Sequence, residues 1–68
     1  MLLSEVRREL TSRLRPLGWT LDGWSPHHRA WEASRLVGGV RAFLRASEAE
    51  LVLLCNAFDA ALARGGES

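Results

Sequence analysis

A chain of 68 residues and 7.6 kDa has room for one small domain, because domains rarely fall below about 50 residues. With 47% hydrophobic and 25% charged residues it lies in the globular range, and its single cysteine, Cys55, excludes a disulfide framework and a cysteine-rich zinc site. The net charge of +1 supplies no global field toward nucleic acid or an anionic membrane, so any such attraction must come from a local patch.

All nine basic residues are arginine, and lysine, isoleucine and tyrosine are absent. Those three residues have AT-rich codons, so the composition points to a high-GC bacterium or a phage of such a host. Met1-Leu2-Leu3 runs directly into Ser4-Glu5-Val6-Arg7-Arg8, with no apolar leader segment. The longest apolar run, Leu51 to Cys55, is far short of the ~20 residues of a membrane span, so a cytoplasmic protein is expected. A core of this size usually supplies only ~3–5 kcal/mol, which makes completion by dimerisation an expectation from size alone.

The breakers Pro16, Gly18, Gly23, Pro26, Gly38-Gly39 and Gly65-Gly66 cut the chain into short pieces, and an all-α domain of three helices fits them. The first helix is expected over about 4–15, with Ser4 as N-cap and Leu3, Val6, Leu10, Leu14 and Leu17 on one stripe; Arg8 and Arg13 are placed to pair with Glu5 and Glu9. Residues 17–25 alternate only from Trp19 to Asp22, too briefly to decide between a short strand and an ordered loop, and read as a Trp-rich loop. Ser25-Pro26 then resembles a helix start, giving a second helix over 26–46 with Ala33, Leu36, Val37, Val40, Phe43 and Leu44 as its core face. Gly38-Gly39 would cost that helix roughly 1 kcal/mol per glycine and so marks a break or a close helix approach.

Ser47-Glu48-Ala49-Glu50 matches a capping box and starts a third helix over 47–64, followed by a frayed tail at 65–68. This helix is apolar nearly all round. Two neighbours cover one or two of its sides, so Leu51, Leu54, Phe58 and Leu62 are the expected self-association stripe of a homodimer, the alternatives being a fully wrapped monomeric bundle and an obligate hetero-partner.

Trp19, Trp24 and Trp31 crowd one stretch, and at helical spacing Trp31, Arg35, Arg41 and Arg45 would share an outward face suited to a partner. His28 and Glu32 stand four apart, too few ligands for a metal, and Cys55 lies on an apolar stripe where a thiol is inert. Ser4, Ser25 and Ser47 read as caps. No catalytic residue, metal or cofactor is therefore expected. The function expected from these features is a non-enzymatic protein-binding module, a small regulator, inhibitor or adaptor of a larger bacterial or phage protein. The alternative is a small dimeric nucleic-acid-binding regulator, either a basic-face binder or a ribbon-helix-helix arrangement using Thr20 to Trp24 as its strand.

Overall fold

The computed structural model describes residues 2–65. Its order is α1 (Leu3–Leu14), a 3-10 turn (Arg15–Leu17), β1 (Thr20–Ser25), β2 (Ala30–Val37), β3 (Val40–Ala46) and α2 (Glu48–Gly65). The expected all-α helical bundle is therefore wrong: two helices flank a three-stranded antiparallel sheet in the order β1-β2-β3.

The outer helices fall within a residue of their expected bounds. In α1, Val6, Leu10 and Leu14 recur at i, i+4 and i+8 and form the buried stripe. Leu2 rather than Ser4 occupies the N-cap, without a side-chain cap bond. Pro16 cannot continue the α-helix, and the chain leaves through the 3-10 turn and Gly18, whose φ of 82° is the left-handed conformation glycine tolerates. Ser47 stands immediately before α2, where its carbonyl accepts the first amide bonds, from Glu50 and Leu51. Gly65 belongs to α2, and the rest of the expected tail lies outside the described residues.

The correction lies between the helices, where the expected 26–46 helix is a β-hairpin. Gly38 and Gly39, with φ of 57° and 82°, form the two-residue turn that matches strand twist, and Val37 pairs with Val40 directly across it. What would be a defect in a helix is the preferred chemistry of this turn. Ser25-Pro26, read as a helix start, instead opens the β1–β2 loop, which ends in the left-handed Arg29 (φ 50°). The 17–25 loop likewise contains a strand, β1, with a bulge between Leu21 and Gly23.

Strand geometry then sorts side chains with a period of two. Trp31, Ala33 and Arg35 of β2, with Ala42, Leu44 and Ala46 of β3, face the helices. There Val6, Leu10, Leu14, Trp19, Trp31, Ala33, Leu51 and Cys55 form one buried cluster. Trp24 packs edge-on against Trp31, with ring centroids 5.4 Å apart, and Trp19 packs edge-on against Phe58 at 5.6 Å. The tryptophans therefore build the core. Among the described residues no helix lies on the opposite face of the sheet.

Candidate functional site

The uncovered sheet face is built by the alternate residues of β2 and β3 together with the bulge of β1. Phe43 is 49% exposed and Leu36 64% exposed, so two large apolar side chains stand in solvent. Arg41 and Arg45 flank Phe43 on the same strand, and the Arg45 guanidinium lies 5.4 Å from the centre of the Phe43 ring.

Two polar networks fix these arginines. Arg45 Nε donates to Glu32 Oε2 at 2.9 Å across the β2–β3 pair. Arg41 Nη1 donates to Ser34 Oγ at 2.8 Å, and Ser34 Oγ donates in turn to Asp22 Oδ1 at 3.3 Å. Ser34, in the central strand, is fully buried beneath these neighbours. Each arginine is thus held by an element other than its own: Arg45 is ion-paired with Glu32, and Arg41 is linked to Asp22 through the Ser34 hydroxyl.

The four residues expected to share a partner-binding face do not lie together. Trp31 is 2% exposed in the core, on the side covered by the helices. Arg35 is on that same side, half-buried, where its Nη1 donates to Asp59 Oδ1 at 2.7 Å. Arg41 and Arg45 remain, on the opposite face, with Phe43 and Leu36 beside them; both apolar residues had been expected in the core. The self-association residues divide similarly. Leu51 is fully buried and Phe58 packs on Trp19, whereas Leu54 and Leu62 are each 40% exposed.

A second surface, absent from the expectations, lies on α1. Ser4, Arg7, Arg8, Thr11, Ser12 and Arg15 recur at three- and four-residue steps around one shallow depression. Ion pairs among the described residues join Arg13 to Glu9, Arg35 to Asp59 and Arg45 to Glu32, and none engages Arg7, Arg8 or Arg15. The signal for this face was the same helical spacing that located the apolar stripe of α1.

His27 and His28 pack edge-on at 4.9 Å at the tip of the β1–β2 loop, and His28 Nδ1 shares a 3.0 Å hydrogen bond with Ser25 Oγ. Because Glu32 sits in a strand, the helical His28–Glu32 spacing does not exist, and no group of three metal-ligating side chains occurs among the described residues. Cys55 is fully buried, and burial, with the nearby Asp59 carboxylate second, pushes its thiol up to about 11. At neutral pH it is a protonated, poor nucleophile. Among the described residues no helix is long and apolar enough to cross a membrane. No protein-family model matches the chain, and neither a curated protein nor a solved structure matches it.

Proposed function

We propose that this protein is a non-enzymatic, cytoplasmic protein-binding module whose contact surface is the uncovered sheet face centred on Phe43. The single observation that carries the reading is the composition of that face. Exposed Phe43 and Leu36 are framed by Arg45, ion-paired with Glu32, and by Arg41, hydrogen-bonded to Ser34, which in turn donates to Asp22. Aromatic and arginine side chains over an apolar centre with a charged rim are typical of protein interfaces. A phosphate-binding face needs uncompensated positive charge instead. A regulator, inhibitor or adaptor of a larger bacterial or phage protein is the class of role this surface serves.

The α1 arginines favour one second reading, a nucleic-acid contact through Arg7, Arg8 and Arg15. Salt separates the two, since phosphate binding weakens steeply as counterions are added and an apolar protein contact changes little. The experiment is affinity capture from nuclease-treated lysate of a high-GC bacterium by wild type, Phe43→Ser and Arg7→Ala/Arg8→Ala/Arg15→Ala, paired with titration of labelled DNA and RNA. The expected result is a stoichiometric protein retained by wild type and by the triple variant, and lost with Phe43→Ser. Salt-sensitive nucleic-acid binding that disappears in the triple variant, with no Phe43-dependent protein captured, would overturn the proposal.

A further inference from the structure

The amphipathic pattern of α2 is not exhausted by its packing on the sheet. Its buried residues are Leu51 and Cys55, and every described residue from Ala60 to Gly65 is exposed, so the C-terminal part of the helix extends past the body. Along the flank beside the buried line run Glu50, Leu54, Ala57, Ala61 and Arg64, all exposed, at alternating steps of four and three residues. This is the seam spacing by which two helices pack along their length. Leu53, 67% exposed, and Ala60 widen the stripe.

The occupant follows from charge and size. The stripe begins in an acid and ends in a base, with Ala57 midway. A second copy of α2 laid antiparallel across Ala57 brings Glu50 of each chain to Arg64 of the other, giving two symmetric ion pairs at the ends of roughly 21 Å of contact. A parallel copy would place Glu50 on Glu50 and Arg64 on Arg64. The alanines at 57, 60 and 61 let the helices approach closely at the crossing, with Leu53 and Leu54 packing against the small residues opposite. The antiparallel arrangement also opposes the two helix dipoles favourably.

We infer that this protein forms an antiparallel homodimer through the Glu50–Leu54–Ala57–Ala61–Arg64 stripe of α2. Such a dimer leaves the sheet face of each copy open, so the inference stands independently of the binding function proposed for that face.

The test measures mass by light scattering and sedimentation across a dilution series for wild type, Glu50→Arg, Arg64→Glu, the double reversal and Leu54→Asp. Wild type should dimerise. Each single reversal replaces two attractive contacts by two repulsive ones and should weaken the dimer about tenfold, given the modest strength of exposed pairs. The double reversal should return to within about twofold of wild type, and Leu54→Asp should be monomeric with an unchanged far-ultraviolet spectrum. Both single reversals lie at exposed sites, so their result does not depend on how well Leu54→Asp folds. The inference fails if wild type is monomeric at every concentration, if the single reversals have no effect, or if the double reversal is no tighter than either single one.

Discussion

Asp59 ties α2 to β2 and to Trp19 by side-chain hydrogen bonds. Its carboxylate accepts from the Trp19 indole Nε1 at 3.2 and 3.3 Å and from Arg35 Nη1 at 2.7 Å, while the Arg35 guanidinium lies 6.0 Å from the centre of the Trp19 ring. Replacing Asp59 by alanine leaves the indole of a 3% exposed tryptophan without an acceptor. It also strands Arg35, whose Nε is already buried with no partner among the described residues. A hydrogen bond to a charged group is worth about 1.5–3 kcal/mol. The Arg35–Asp59 pair adds little more, about 0.5–1 kcal/mol, because its side chains keep 30% and 28% of their surface in solvent. Asp59→Ala should therefore cost about 2–4 kcal/mol, and at ~4–8 °C per kcal/mol for a domain of this size the melting temperature should fall by roughly 10–30 °C. Urea unfolding followed by tryptophan fluorescence and circular dichroism measures the change as a lower midpoint at constant slope. Asp59→Asn keeps an acceptor oxygen and should recover about half of the loss. A double-mutant cycle with Arg35→Ala should return a coupling of about 0.5–1 kcal/mol. If Asp59→Ala lies within about 0.5 kcal/mol of wild type, the polar tie contributes nothing and α2 is held by its apolar contacts alone.

Further outcomes test the core, the turn and the thiol. Leu14 is fully buried beneath the sheet, so Leu14→Ala should cost about 3 kcal/mol in the same unfolding assay, the transfer and cavity penalty of a core leucine. A Cβ on either turn glycine would meet no neighbour, so substitutions there report backbone conformation alone. Gly39→Val should cost about 1–2 kcal/mol, while Gly38→Asn, which suits a positive φ, should be neutral or slightly stabilising. The Cys55 thiol ionises in the unfolded chain near its ordinary 9.0 and in the folded chain only at about 11. Between those values the unfolded state has released a proton that the folded state keeps. Stability should therefore fall as pH rises through that window, by up to about 2–3 kcal/mol, and a Cys55→Ala variant should show no such decline in its pH-dependent midpoint.

The two helices were legible because each carries a signal of one kind. The stripe Val6-Leu10-Leu14 is interrupted at the even steps by Arg8 and Ser12, which a strand face would not tolerate, and the Ser47 to Glu50 start opens a stretch without glycine or proline up to Arg64. The hairpin was misread because its residues satisfy two periods at once. Val40, Ala42, Leu44 and Ala46 alternate with Arg41, Phe43 and Arg45, a period of two over seven residues, yet Val37, Val40 and Leu44 also satisfy steps of three and four. The tie is broken by Gly38-Gly39, whose cost in a helix and whose fitness for a two-residue hairpin turn both point to strands. Ser25-Pro26 pulled the other way, since proline suits the start of a turn as well as of a helix. Trp19 and Trp24 gave no periodic cue because the β1 bulge interrupts the alternation between them.

The division of the expected site follows from that one turn. With two residues at the tip, partners across β2 and β3 always pair an odd-numbered residue with an even one: Trp31 with Ala46, Arg35 with Ala42, Leu36 with Arg41, Ser34 with Phe43. Side chains directly opposite one another share a face. Odd residues of β2 therefore lie on the side opposite to odd residues of β3, which separates Trp31 and Arg35 from Arg41 and Arg45. A helix places all four together only because it has no such reversal. The same parity brings Phe43, Arg41 and Arg45 into line with Leu36, Ser34 and Glu32, so the fold that buries the tryptophan and engages Arg35 also composes the apolar, arginine-framed face on which the binding proposal rests.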